Sequence, residues 1–152
     1  MDEKKSVKKF RRKYKIDKIS SDTLSLAVEK MGYTIIYFRL FNNKEKVDFL
    51  IKALDVENYV CSCKCFAYQD EKYRLLFINE DLSEEEKLIV LGHEVGHIWH
   101  NHMQMGAVFG NDVMLEHQAN EFSHYLLLLE LVGSYEYILE SKCSFKIIFF
   151  NY

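Results

Sequence analysis

The sequence predicts an α+β fold in which a small antiparallel sheet packs on helices. Several segments repeat apolar residues at the three- and four-residue spacing of an amphipathic helix, whereas three others are rich in the β-branched and aromatic residues that favour strands. The last two strand-like segments flank the polar stretch 69–72, which is the arrangement of an antiparallel hairpin. We therefore expect helices to bury their apolar faces against a sheet that contains this hairpin.

The expected elements follow one another without an internal repeat or a low-complexity linker. Residues 20–22 offer N-caps for an amphipathic helix that ends near Met31, just before Gly32. The other expected helices cover residues 44–54, 84–102, 112–131 and 134–142, and the expected strands cover residues 33–41, 59–68 and 73–78. The aromatic segment 144–152 is expected to be a further strand or a packed tail.

Length and composition indicate one globular domain. The chain has 152 residues, of which 49% are hydrophobic and 28% charged, and its net charge is -3. A chain of this length can bury roughly two thirds of its unfolded surface. The small net charge creates no global field that would attract nucleic acid, so direct nucleic-acid binding is not expected. No segment has the features of a signal peptide or a membrane span, and we therefore expect a cytoplasmic protein.

The amino-terminal segment 1–19 is strongly basic, because lysine and arginine outnumber the acidic residues Asp2, Glu3 and Asp17. A basic segment of this kind can contact nucleic acid or an acidic partner. No aromatic interleaving or binding motif accompanies it, however. We therefore expect a solvated, partly frayed first helix.

Three of the four cysteines alternate along the chain, at Cys61, Cys63 and Cys65. On the expected strand 59–68 they would share one face, where they could not easily form disulfides with one another. In the absence of a secretory signal, we expect these residues and Cys143 to be reduced thiols. A metal site is disfavoured because such sites usually separate two cysteines by two or more residues.

The segment 93–97 reads His-Glu-Val-Gly-His, an H-E-x-x-H motif within an apolar helical pattern. Residues four apart lie on one face of a helix, so His93 and His97 can bind one metal ion together. The carboxylate of Glu94 is placed to take a proton from a water molecule that the metal activates. Upstream, Ser83 and Glu86 form a capping box, which predicts that the motif lies well inside a stable helix.

A catalytic zinc site usually has three protein ligands and one open position, so a third ligand must come from elsewhere. We choose Glu116 because Asn120, four residues later, shares its helix face and could orient Glu116 or His93 by a hydrogen bond. The sequence leaves other candidates open: Asp112, His117, Glu121 and His124. His100 and His102 are not expected to be ligands, since they lie at the end of the helix, where a cation suits the helix dipole.

Two segments together carry a resemblance to a known family: 91–97, Leu-Gly-His-Glu-Val-Gly-His, and 116–122, Glu-His-Gln-Ala-Asn-Glu-Phe. The chain resembles the ImmA/IrrE family of bacterial and phage zinc metallopeptidases, whose members place H-E-x-G-H on one helix and E-x-x-A-N-x-F on the next. The resemblance covers roughly residues 20–132. It implies that His93, His97 and Glu116 bind Zn²⁺ and that Glu94 is the catalytic general base.

The resemblance also has implications for the architecture. It implies a minimal zincin-like metallopeptidase core. Within a single domain, 1–152, this core spans residues 20–132, after the basic segment 1–19 and before an extension, 133–152.

The resemblance implies a function as well. The chain is expected to be a zinc-dependent endopeptidase that hydrolyses a peptide bond in a helix-turn-helix transcriptional repressor of a phage or mobile element. The alternative is a zinc-bound regulatory binding module that acts on a repressor or on DNA without peptidase activity. The basic segment 1–19 is the feature that favours the alternative.

Overall fold

The computed structural model describes residues 2–105 and 112–128. In chain order the elements are α1 (Glu3–Tyr14), α2 (Ser21–Lys30), β1 (Thr34–Phe38), α3 (Glu45–Ala53), α4 (Glu57–Ser62), β2 (Cys65–Gln69), β3 (Arg74–Asn79), α5 (Glu84–Trp99), a 3-10 turn (His102–Met105) and α6 (Val113–Leu127). The expected helix 134–142 and the segment 144–152 lie outside the described residues. The α+β fold class is confirmed.

The three strands form one sheet in the order β1–β3–β2. Strands β2 and β3 pair antiparallel, which confirms the expected hairpin. Strand β1 runs parallel to β3, however, so the expectation of a wholly antiparallel sheet was wrong and the sheet is mixed. The long connection that carries α3 and α4 allows this parallel pairing, and apolar periodicity within a strand does not encode the direction of its neighbour.

The expected strand 59–68 was wrong in its first half, because α4 occupies residues 57–62 and the strand begins only at Cys65. In α4, Val60 is buried in the same apolar cluster as Phe66 of the strand. This tertiary contact overrides the local β-propensity of the segment. The three cysteines consequently do not share a strand face: Cys61 is exposed on α4, whereas Cys63 and Cys65 are buried.

Apolar clusters cover both faces of the sheet. Leu76 and Ile78 of β3 belong to a cluster with α1, α2, α5 and α6, whereas Leu75 and Phe77 belong to a second cluster with α3 and α4. Successive side chains of a strand point to opposite faces, so one strand can serve both clusters. The sheet therefore lies between the paired helices α5 and α6 on one side and the short helices on the other.

Helix α1 is a packed element and not a frayed segment, so that expectation was wrong. Asp2 caps its start, and Val7 and Phe10 are buried. The ring of Phe10 meets Trp99 of α5 and Phe122 of α6 edge to face, with centroid separations of 5.4 and 5.6 Å. The apolar face of α1 thus fixes the helix to both α5 and α6, while its lysines remain exposed.

Helix α5 begins as the sequence predicts, since Ser83 and Glu86 form both hydrogen bonds of a capping box. It ends at Trp99, earlier than the expected residue 102. Asn101 adopts a left-handed conformation (φ 56°), which terminates the helix and turns the chain into the 3-10 segment. Asp112 caps α6. Within the described ranges, no helix is long and apolar enough to cross a membrane.

Candidate metal centre

Helices α5 and α6 pack closely because glycines occupy the contact surface of α5. Gly96 faces the backbone of Ala119, and Gly92 faces the side chain of Ser123. Neither glycine has a side chain that would hold the helices apart. Glu116 lies one turn before Ala119 on α6, and the close approach therefore brings its carboxylate to the histidines of α5.

His93, His97 and Glu116 form a buried group that could hold a metal ion. The Nε2 atoms of His93 and His97 are 3.1 Å apart. The carboxylate of Glu116 lies 3.3 Å from Nε2 of His93 and 3.1 Å from Nε2 of His97. Ligand atoms about 2.0–2.1 Å from a tetrahedral zinc ion lie about 3.3–3.4 Å from one another. The two imidazole nitrogens, and the carboxylate oxygen nearest to each, lie at similar separations, so the group is close enough to surround such an ion.

The electrostatics of this group favour a cation between the three side chains. Burial raises the pKa of Glu116, but its close contacts with His93 and His97 outweigh it and lower the pKa to about 2. Burial also lowers the pKa of His97, which favours the neutral imidazole that binds metals. A buried carboxylate is costly unless positive charge is supplied, as a divalent ion would do.

Glu94 lies beside the group and is almost fully buried, with 2% of its surface exposed. Its pKa is raised well above the usual range, first by burial and then by the charge of Glu116. Its Oε2 atom has no hydrogen-bond partner within the described part of the chain. A buried carboxyl with one oxygen that meets no donor in the described residues is suited to hold a water molecule or a substrate proton.

The other candidates for a third ligand lie elsewhere. Asp112 caps the start of α6, where its side chain accepts hydrogen bonds from the backbone. His117 and Glu121 face each other at 4.0 Å on the exposed side of the helix. His124 packs against the ring of Tyr125. Among the candidates, the structure therefore brings only Glu116 to the two motif histidines.

The Oδ1 atom of Asn120 is buried without a hydrogen-bond partner in the described part of the chain, so this oxygen does not orient Glu116 or His93. His102 is not one of the three members of the group, but it contacts His97: their Nδ1 atoms are 2.8 Å apart, and both residues are buried. A five-residue separation does not predict this contact on a helix. It arises because the chain leaves helical geometry at Asn101.

Comparison with known proteins agrees with this geometry. Residues 44–130 match the family described as Peptidase_M78, IrrE N-terminal-like domain. The match spans more than half of the chain and includes β2, β3, the motif helix α5 and the whole of α6. A search of curated proteins and a search of solved structures each found no match.

Proposed function

Because the chain belongs to the Peptidase_M78 family of IrrE N-terminal-like domains, we propose that it is a zinc-dependent endopeptidase. His93, His97 and Glu116 would hold the ion, and Glu94 would be the general base. The observation that carries the proposal is the buried group of His93, His97 and Glu116, in which the two imidazole nitrogens lie 3.1 Å apart and each lies 3.1–3.3 Å from one carboxylate oxygen of Glu116. Two imidazoles and one carboxylate are the ligand set of a hydrolytic zinc site with an open position.

The donor set also bears on the choice of metal. Imidazole nitrogens suit zinc, copper, nickel and iron, whereas a site for calcium or magnesium would consist of oxygen atoms. Tetrahedral spacing with a single carboxylate favours zinc within that group. A bound zinc ion would polarise the scissile carbonyl and lower the pKa of a water molecule towards ~7.

The residues around the ion have separate tasks in this proposal. The carboxylate of Glu94 would accept a proton from the attacking water and then deliver it to the leaving amine. The raised pKa of Glu94 suits both steps, since it makes the carboxylate a stronger base towards the proton that it accepts. Glu116 would keep its negative charge throughout, in keeping with its lowered pKa.

The sheet offers a place for an extended peptide beside these residues. In the described ranges β2 is an edge strand, since β3 is the strand that pairs with it. Helix α5, which carries Glu94, packs against this strand. A peptide that paired with the outer edge of β2 would therefore lie beside the helix that carries Glu94. This arrangement supports an endopeptidase, because both ends of the peptide can extend beyond the site.

We propose a helix-turn-helix repressor of a phage or mobile element as the protein substrate, which would place the reaction in the cytoplasm. The support is the resemblance of segments 91–97 and 116–122 to the ImmA/IrrE metallopeptidases. The second candidate function is a zinc-bound regulatory module that docks on a repressor or on DNA without cleavage. The exposed lysines of α1 favour it, because they form a basic surface.

Substitution Glu94→Gln separates the two functions. The zinc-loaded wild type and variant would be incubated with a proteome-derived peptide library and with the repressor encoded nearest to its gene, and the products analysed by mass spectrometry. The endopeptidase proposal predicts new cleavage products with the wild type only, while both proteins contain zinc. Equal absence of products from both proteins, with repressor binding retained by both, would instead support the binding module.

A further inference from the structure

A continuous series of buried and partly buried hydrogen bonds connects the candidate metal site to the start of α1. Nδ1 of His97 lies 2.8 Å from Nδ1 of His102, and Nε2 of His102 lies 2.9 Å from Oε1 of Gln118. Nε2 of Gln118 donates to Oε1 of Glu3 at 3.1 Å, and Oε2 of Glu3 is 2.8 Å from Nε2 of His100. Glu3 is 3% exposed and His102 is 1% exposed. We name Glu3, Gln118 and His102 the Glu3 network.

The direction of every bond in the Glu3 network follows from the carboxylate at its end. An ionised carboxylate only accepts hydrogen bonds, so the amide nitrogen of Gln118 must face Glu3. The amide oxygen of Gln118 then faces His102, which must donate from Nε2. A neutral imidazole has one donor and one acceptor, so Nδ1 of His102 is the acceptor.

The same logic continues to the proposed ligand. Because Nδ1 of His102 accepts, Nδ1 of His97 must carry the proton and donate. The lone pair of His97 is then on Nε2, the atom that faces His93 and Glu116. A metal ligand needs its lone pair on the atom that binds the ion, and the partner of the other nitrogen determines this tautomer.

We propose that Glu3, through Gln118 and His102, fixes His97 in the tautomer that binds metal through Nε2. The proposal rests on the proposed metal site. It makes Glu3, Gln118 and His102 positioning residues that act through His97. It also gives α1 a role in the site, although α1 precedes the residues 44–130 that match the family.

Helix α1 is suited to this role because its position is fixed independently of the network. Phe10 packs on Trp99 and Phe122, and Nε1 of Trp99 donates to Oγ of Ser6 at 2.9 Å. These contacts hold the amino-terminal turn of α1 against α5 and α6. The carboxylate of Glu3 therefore has a defined position without help from the metal ligands.

The first test is a zinc competition titration with a chromophoric chelator. Glu3→Gln removes the negative charge with little change of shape, so the amide at position 3 can present either a donor or an acceptor to Gln118. We expect the affinity for zinc to fall about 10-fold or more, the usual effect of losing an outer partner of a metal ligand. Glu29→Gln, on the exposed surface of α2, is the matched control and should bind zinc as the wild type does.

A double variant provides the rescue. In Glu3→Gln/Gln118→Glu the two side chains exchange places, so that position 118 carries the carboxylate and position 3 carries the amide. The carboxylate at position 118 accepts hydrogen bonds from Nε2 of His102 and from the amide nitrogen at position 3. The amide oxygen at position 3 accepts a hydrogen bond from His100. The direction of the bonds towards His97 is thus restored, and we expect most of the lost zinc affinity to return. A role of Glu3 in stability alone predicts no such recovery.

The second test measures the tautomers directly, by the ¹⁵N chemical shifts of the histidine rings in metal-free protein. The proposal predicts protonation of His102 at Nε2 and of His97 at Nδ1 in the wild type, and a mixture in Glu3→Gln. Protonation of His102 at Nδ1 in the wild type would overturn the proposal, as would unchanged zinc affinity in Glu3→Gln. A wild type that binds no zinc would instead overturn the proposed function, and the ring shifts would still report on the network.

Discussion

Gly96 of α5 lies directly against the backbone of Ala119 in α6. A Cβ atom built on Gly96 would stand 3.0 Å from the carbonyl oxygen and 3.1 Å from the Cα atom of Ala119. Both neighbours are backbone atoms of a packed helix, which cannot move aside as the end of a side chain can. The separation of α5 from α6, and with it the reach of Glu116 towards the histidines, therefore depends on a glycine at position 96.

Gly96→Ala should push α6 away from α5 and weaken the metal site. We expect a loss of stability of about 1–3 kcal/mol, as for other overpacked contacts, and a weaker affinity for zinc. Gly92→Ala is the matched control, because its Cβ would meet the side chains of Ser123 and Leu127, which have more freedom to adjust. Denaturant unfolding and zinc titration of both variants test this. Equal zinc affinity in Gly96→Ala and the wild type would contradict the proposed spacing.

Phe10→Ala should destabilise the protein, because Phe10 is fully buried between Trp99 and Phe122. Truncation of a buried phenylalanine typically costs about 3–5 kcal/mol of unfolding free energy. Lys8→Ala, on the exposed side of the same helix, should change stability by less than about 0.5 kcal/mol. Denaturant unfolding measures both values. A small effect of Phe10→Ala would mean that α1 is not part of the folded core in solution.

Removal of the metal should lower the melting temperature. A ligand that binds only the folded state adds about 2.7 kcal/mol to the free energy of unfolding when its free concentration is 100 times its dissociation constant. We therefore expect protein treated with a chelator to melt at a lower temperature than zinc-loaded protein, as followed by circular dichroism. In His93→Ala this difference should disappear, because a proposed ligand is lost. An equally large zinc-dependent shift in that variant would place the stabilising ion elsewhere.

The cysteines should differ in their reaction with a thiol reagent. Cys61 is exposed, whereas Cys65 is buried and burial raises its pKa well above the usual range, so little of the reactive thiolate forms. In a Cys143→Ser background, mass spectrometry should find Cys61 alkylated first and Cys65 modified only slowly in native buffer. Comparable rates at the two positions would show that β2 does not protect Cys65 as the fold requires.

The helix that carries the H-E-x-x-H motif could be predicted because its signals join residues that are close together in the sequence. The capping box of Ser83 and Glu86 involves residues three apart, and the ring spacing of His93 and His97 follows from the helix repeat alone. The sequence left several candidates for the third ligand, and both the spacing of Glu116 to Asn120 and the family resemblance favoured Glu116. Its approach to α5 depends on Gly96 and Ala119, a contact between two helices that periodicity does not encode.

The features that sequence reasoning missed all depend on tertiary structure. Residues 57–62 have strand-like composition, yet they form α4 because Val60 packs beneath the sheet. Strand β1 can run parallel to β3 because a long connection that carries α3 and α4 follows it, and the residues of the strand itself do not indicate this direction. His102 reaches His97 because Asn101 turns the chain out of the helix, and Glu3 reaches Gln118 because α1 packs on α6.

The most direct test of the central claim is the zinc content of purified wild-type protein beside Glu116→Ala. Glu121→Ala, which removes a partly exposed carboxylate from the same helix, is the matched control. The account predicts about one zinc ion per chain in the wild type and in Glu121→Ala, and loss of the ion in Glu116→Ala. Retention of a full zinc ion in Glu116→Ala, or no zinc in wild-type protein supplied with it, would contradict the claim that His93, His97 and Glu116 form a metal site.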